Sequence, residues 1–456
     1  MPQIRGSTMN FVQVSLSKLR ERRTWFELAW RFAFLVLPWQ TRWFHEQGLA
    51  GWPWEQGRWS FYLAWLPMIA AIFLGRRFHE RKVSRRKKRA LMAVLVLLFV
   101  VNVFGVASGA DDGAVRLKAI AATQWWFEAI ILSGFFFTLW GVRVVGEKVL
   151  GWFVISLLPV VGLSYVQFLM QKVVGSKWLG IALHDPRELG VSVVEFGEFR
   201  LLRIYGSMPH PNIWGGWLAF GILAAAYSAF ISAGKKAALF WAVSSALIAG
   251  VLVLTFSRAA YLSAAIGTGL MAGVFFARRK FDATAFQFGM LALCLAVLVA
   301  GVVSFSQREA ILSRTQEQGR LEEKSLSQRG ESLEQGFSVL KRHLLFGSGA
   351  NAEQIDVAIV LAAGQGKKYT ELRLREPIES PHNAFLLLLV DFGIVGSLLI
   401  AGLSVLLFYR KIELADLPFL ACLVVVLWFD HYGISYWSGL SLMALGVFLC
   451  AGKKSA

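Results

Sequence analysis

Apolar residues run along this chain in blocks of about 20, cut by short polar or basic stretches. A helix needs roughly 20 mainly apolar residues to cross a bilayer. Twelve blocks qualify as candidate spans: 25–40, 59–75, 90–107, 123–142, 149–170, 209–232, 237–255, 259–277, 284–303, 383–409, 417–429 and 437–451. The first and eleventh are short. The pattern predicts an all-α polytopic membrane protein of about 12 transmembrane helices. A barrel would show short alternating segments instead.

Composition supports this reading, with 56% hydrophobic residues, 17% charged and a mean hydropathy of +0.55 over 456 residues. The formal charge of +18 would point to nucleic acid in a soluble protein. Here it is explained by basic residues on the cytoplasmic side of spans, so no nucleic-acid partner is expected. With the N-terminus inside, the inward segments are 1–24, 76–89, 143–148, 233–236, 278–282, 410–416 and 452–456. They hold 25 of the 47 Lys and Arg residues, nine of them in "RRFHERKVSRRKKR" (76–89). Short outward loops hold 10, and Arg31 falls inside the first span.

The domain reading follows. Residues 1–24 form a cytoplasmic tail, 25–303 carry spans 1–9, and 304–381 form a long, partly helical extracytoplasmic loop. Residues 382–451 carry spans 10–12, and 452–456 form a second cytoplasmic tail. Within the loop, Leu333, Phe337, Leu340 and Leu344 recur at helical spacing, and Gly347 and Gly349 supply a stop. Cys294, Cys422 and Cys450 all lie in apolar runs, with no metal or disulfide spacing. The first apolar block has no small-residue cleavage site after it, so it reads as a retained span.

The sharpest breaks in the apolar pattern are "RIYGSMPHPN" (203–212), "TFSR" (255–258), "SQR" (327–329), "SPHN" (380–383) and "DHYG" (430–433). Under the charge topology all five fall at the outer face, which predicts one polar site roofed by the long loop. An arginine as close to hydrocarbon as Arg258 is costly unless it is paired, lines a wet cavity or snorkels. Arg329 and Arg203 offer bidentate forks for phosphate, or are solvated charges. In "MPHPN", Asn212 can cap the next helix, which would explain His210 as part of a turn. Asn383 or Ser380 can cap the tenth span, but a cap needs no histidine. Imidazole moves protons near neutral pH, which singles out His382.

Asp430 and His431 form either an orienting pair or an interfacial loop pair. Asp391, inside the tenth span, is a functional candidate by position, or pairs with Arg31 or a loop arginine. "GIVG" (393–396) and Gly269/Gly273 read as close helix packing. There is no Walker A motif and no metal-ligand spacing, and Asp111-Asp112 is a weak pair. No cofactor or metal is expected. The alternative is a secondary transporter or flippase, which twelve spans also suit. It should carry charges and broken helices near the midplane, whereas here the polar residues crowd one face.

In order and spacing, "RIYGSMPHPNIWGG", "TFSRAAYLSAAIG", "SQRGESLEQGFSVLKRHLLFGSGAN" and "HNAFLLLLVDFGIVG" resemble the O-antigen ligase and polymerase family of bacterial membrane glycosyltransferases. The resemblance covers about 200–450. It implies metal-independent, inverting transfer of a glycan from undecaprenyl diphosphate to a hydroxyl of lipid A core, another glycan or protein, at the outer face of the cytoplasmic membrane. Arg258 and Arg329 would bind the diphosphate with help from Arg203. His382 would either assist deprotonation of the acceptor or contact the diphosphate. His210, Asn212, Asn383, Asp430 and His431 would complete the substrate site, Asp430 matching more loosely. The sequence departs from relatives in having Leu344-Leu345 where a Pro often precedes the Gly turn, and Asp391 where Glu is common.

Overall fold

The computed structural model describes residues 5–44, 59–81, 84–109, 111–196, 199–277, 283–315, 320–366, 378–408 and 412–451. The expected C-terminal tail, 452–456, and the basic segment 278–282 lie outside the described residues. The helices are α1 (Arg5–Val36), α2 (Trp65–Gly75), α3 (Arg85–Ala107), α4 (Asp112–Gly141), α5 (Gly146–Met170), α6 (Pro211–Ile231), α7 (Lys235–Leu254) and α8 (Arg258–Ala277). They continue as α9 (Ala283–Ser306), α10 (Arg308–Thr315), α11 (Arg320–Arg342), α12 (Glu353–Gly364), α13 (Ala384–Phe408), α14 (Leu417–Phe429), α15 (Tyr432–Ser435) and α16 (Trp437–Ala451). Two small antiparallel hairpins pair β1 (Arg42–Phe44) with β2 (Ser60–Tyr62), and β3 (Val193–Phe196) with β4 (Phe199–Leu202).

Among the described residues eight helices are long and apolar enough to cross a membrane, α3 to α9 and α13. The other four expected spans differ in detail. The first apolar block is the C-terminal part of the 32-residue α1, which starts in the segment read as a tail. The second loses 60–62 to β2, leaving an 11-residue helix, and α14 and α16 have 13 and 15 residues. At 1.5 Å per residue, 11 to 15 residues cover about 16–22 Å, short of the roughly 30 Å hydrocarbon core.

Local sequence explains many helix starts. Asp111 Oδ1 accepts from Ala114 N at 2.7 Å and Ser84 Oγ from Lys87 N at 3.3 Å. These bonds satisfy amides that a first turn leaves unpaired, and they give Asp111 a capping role. Asn383 caps α13 as expected, its Oδ1 accepting from Leu386 N at 2.9 Å. Asn212 does not cap α6. His210 takes the cap, its Nδ1 accepting from Asn212 N at 3.2 Å, and so frees the Asn212 amide for the site. α6 is apolar on all sides and buried nearly throughout. It sits at the centre of the core, packed by α5, α7, α8, α9 and α14, with Trp214, Trp217 and Phe220 wholly buried. A helix without a polar face is stable only in such a position.

The long loop packs differently from its expected pattern. Phe337 is exposed, and Leu344 lies beyond the end of α11 and is also exposed. Leu333 and Leu340 do pack inward, half-buried against the cluster around Val339. The most buried line of α11 is Ser332, Gly336 and Val339, with half-buried Arg329 on the same face. Gly336 sets this rotation, because a Cβ there would lie 2.5 Å from Pro381 Cγ. The helix and the chain at Pro381 approach this closely only through a glycine, and that contact turns Phe337 outward.

Beyond α11 the chain wedges between α3 and α13. α13 is broken at Gly393, whose φ of 62° and ψ of −173° are not helical. "GIVG" therefore does two jobs: Gly393 breaks the helix and Gly396 packs against Val101 of α3. The break frees backbone groups, and the loop satisfies them. Ser348 N and Gly349 N donate to Val390 O and Asp391 O, while Ile394 N and Val395 N donate to Leu344 O and Leu345 O, all at 2.9–3.1 Å. Non-helical backbone at membrane depth persists only when protein or water pairs it. Asn102 of α3 completes the socket, its Oδ1 accepting from Ala350 N at 2.8 Å. A Cβ at Gly269 or Gly273 would meet nothing within 4 Å, so that pair is not a packing site among the described residues.

Candidate active site

Four chain segments converge at one end of the helix bundle. The strand end at Arg203 and the α6 start bring Arg203, His210 and Asn212. The turn after α14 brings Asp430 and His431, and the segment before α13 brings Glu379 and His382. Arg203 is buried. Its Nε donates to Thr255 O at 2.9 Å and its Nη2 to Asn212 Oδ1 at 2.5 Å. Asn212 Nδ2 donates to Asp430 Oδ2 at 3.1 Å, and Asp430 Oδ1 accepts from His431 N at 2.9 Å.

His382 lies between two acids. Its Nε2 is 2.9 Å from Glu379 Oε2, a hydrogen bond, and its Nδ1 is 3.7 Å from Asp430 Oδ1. The second distance is too long for a hydrogen bond, so Asp430 acts there as a charge and Nδ1 stays buried without a partner. The result is a string of alternating sign: Glu379, His382, Asp430 and, through Asn212, Arg203.

The electrostatics follow from burial and neighbours. Burial disfavours a charged His382, but the two flanking acids outweigh it and raise the imidazole to about 9. Asp430 is as buried, yet His382 holds it down to about 2. The other two histidines stay neutral. Burial lowers His431 to about 4, and it lowers His210 well below its ordinary range with Arg203 adding to the effect. Their tautomers are fixed by partners. His210 Nδ1 accepts a backbone N–H, so Nε2–H faces Ser192 Oγ at 3.1 Å. Ser435 donates to His431 O, so His431 Nδ1–H donates to Ser435 Oγ at 2.7 Å. Burial, with Arg314 next, brings Arg203 down to about 9.

Arg314 gives no signal in the sequence. α10 seats Ala310 against Val194 and Phe256, which brings the Arg314 charge into range of Arg203 and Tyr261. Arg258 opens α8 and donates through Nη1 to Arg314 O at 3.3 Å. Arg203 is thus the basic end of the string, with Arg314 in electrostatic range of it and Arg258 bonded to the Arg314 backbone. Arg329 makes no hydrogen bond or ion pair with them among the described residues, although it faces inward two turns before the Gly336–Pro381 contact. Asn383 stays at the rim, capping α13 and donating to Trp428 O at 2.9 Å. Glu379 also escaped the sequence reading, although its spacing of three from His382 was a usable cue. Among the described residues Asp391 pairs with neither Arg31, which binds Glu27 at 2.8 Å, nor a loop arginine; its Oδ2 accepts from Asn351 N at 3.0 Å.

One donor atom each from His382, Asp430 and His431 lies within 4.8 Å of the others, a set that could hold a metal ion. His382 could ligate only after giving up the proton its two acids hold. The chain has no match among curated proteins. Residues 243–401 match the family model described as O-antigen ligase, a stretch from α7 into α13 that contains Arg258, Arg314, Arg329, His382 and Asp391. Over that stretch the chain is similar to the O-antigen ligase family, in agreement with the resemblance its motifs carry.

Proposed function

We propose that this protein transfers a glycan from undecaprenyl diphosphate to a hydroxyl of a glycan, lipid A core or protein, with inversion, at the outer face of the bacterial cytoplasmic membrane. Twelve crossings with both termini in the cytoplasm remain part of the reading, on the charge distribution. The observation that carries it is the Glu379–His382–Asp430 string with buried Arg203 at its basic end, Arg314 in electrostatic range of Arg203 and Arg258 bonded to the Arg314 backbone. Breaking the bond from the anomeric carbon to the diphosphate oxygen builds negative charge on the leaving group. Fixed guanidiniums in a water-poor site stabilise that charge strongly. The acceptor hydroxyl oxygen forms the new bond to the anomeric carbon as the bond to the diphosphate breaks, and its proton leaves to water. His382 enters as a cation, so its part is to meet the departing diphosphate and not to take the first proton from the acceptor.

The reading is metal-independent, because His382 is occupied by a proton between two carboxylates. A flippase or transporter would use the broken α13 to bind cargo, but the loop already fills the backbone groups at that break.

Purified protein given lipid-linked glycan and acceptor should release undecaprenyl diphosphate. His382→Ala should lower turnover about 10²–10⁴-fold. Activity should hold up to about pH 8 and fall as His382 deprotonates near 9. A rate that rises through pH 9 would make His382 the base. Loss of activity in a chelator, restored by a divalent ion, would assign the three-donor set to a metal.

A further inference from the structure

Behind the site lies a second buried polar cluster, which the proposed transfer does not use. Glu353, at the start of α12, is wholly buried, and so is Asp391 at the α13 break. Ser380 Oγ donates to Glu353 Oε1 and accepts from Gln354 Nε2 at 3.0 Å. Asp391 Oδ2 is used by Asn351 N. This leaves Glu353 Oε2 and Asp391 Oδ1, both buried and without a partner among the described residues, on carboxyl groups brought together by Asn351, which stands two residues before Glu353 and holds Asp391 through its N–H. Two facing carboxylate oxygens with no donor require a proton between them, since like charges that close cannot both ionise in a buried site.

Charge counting agrees. Glu353, Asp356 and Asp391 supply three acids. Lys118 of α4 is the buried cation, 2.9 Å from Asp356. His343 of α11 lies 3.5 Å from Asp356, and burial lowers its affinity for a proton. Arg342 is exposed at the rim.

We propose that Glu353 and Asp391 share one proton, and that Glu353, through Ser380, is a positioning residue for His382. Ser380 stands two residues before His382, with Pro381 between them seated on Gly336. Three anchors hold the segment: α12 holds Ser380, α11 holds Pro381, and Asn383 binds the end of α14. Only the first is polar and supplied by the long loop. The loop therefore does more than roof the site. It sets the height at which the imidazole meets Glu379 and Asp430. The role assigned to His382 rests on the transfer reading above, but the placement of its ring does not.

The experiment uses the full chain in detergent and two readouts independent of transfer. Infrared spectra near pH 7 should show the carbonyl stretch of a buried protonated carboxyl, lost in both Glu353→Gln and Asp391→Asn. Carbon-13 labelled histidine should show His382 titrating near 9 in the wild type. In Ser380→Ala the value should move down toward 6.5 as the ring leaves its acids, and in Glu353→Gln, which can still accept from Ser380 and donate to Asp391, it should stay. If transfer is observed, Ser380→Ala lowers kcat about tenfold with KM within about twofold, and Glu353→Gln, which keeps the bond to Ser380, retains most of the wild-type kcat. Absence of the carboxyl band, or an unchanged His382 titration in folded Ser380→Ala, overturns the proposal. Both signatures present without any glycan transfer would leave it standing and sink the transfer reading.

Discussion

Two buried polar clusters lie on either side of the segment 379–383, and they solve the same problem in opposite ways. In the outer one, signs alternate from Glu379 to His382 to Asp430 and on to Arg203, and each charge is offset by a neighbour. In the inner one, three acids face one buried lysine, and a shared proton cancels half of the excess. Burial raises the cost of charge in both. What differs is whether opposite charges are supplied in equal number. A balanced string stays ionised and can act on a charged substrate. An acid-rich cluster partly neutralises itself and serves as a joint.

The comparison predicts a hierarchy of effects. Arg203→Ala removes a fixed cation and leaves Asn212 Oδ1 without its donor. It should lower transfer by about 10²–10³ while leaving the inner cluster's carboxyl band unchanged, and a change in that band would show that the two clusters are one unit. Lys118→Ala removes the inner cluster's buried cation. Breaking a buried pair this way costs about 3–5 kcal/mol, read as a lower melting temperature in detergent, whereas Lys118→Met should recover part of the loss.

The outer string makes stability depend on pH. His382 binds its proton up to about 9 when folded and to 6.5 when unfolded. Its contribution is therefore full below 6.5 and is lost as pH rises toward 9. His431 stays neutral down to about 4, so the unfolded chain binds a proton first and stability falls below 6.5. Asp430, held at about 2 against 3.8, loses its contribution only below about 4. The melting temperature should peak near pH 6.5, with up to about 3 kcal/mol at stake on the alkaline side. His382→Gln should flatten that side alone. The smallest effect belongs to Phe337→Ser. This exposed residue lies off the docking face of α11, so the change should stay within about 0.5 kcal/mol. A larger loss would return Phe337 to the inward stripe the sequence pattern expected.

How much of the site could be read in advance varied with the kind of signal. Arg203, Asn212, Asp430, His382 and His431 were legible because each interrupts an apolar block at a helix end, where a polar residue needs a reason. Arg314 and Glu353 lie in the polar loop, where charge is ordinary and gives no contrast. Lys118 and Asp391 stand inside spans, but their partners are 238 and 40 residues away along the chain, and no local spacing encodes that.

The sequence by itself determined that this is a multi-pass helical membrane protein, because periodic burial in lipid needs long apolar runs and basic residues mark one side of them. Its motifs also carry a resemblance to the O-antigen ligase family, matched over residues 243–401, because their order survives without coordinates. Only the tertiary structure decided how the loop is held. Its α11 docks by a glycine face, its tip fills the break at Gly393, and its Glu353 grips the segment that carries His382. Those choices depend on which oxygen meets which hydrogen across distant stretches of chain. A one-dimensional pattern records each group's chemistry but not the neighbour that satisfies it.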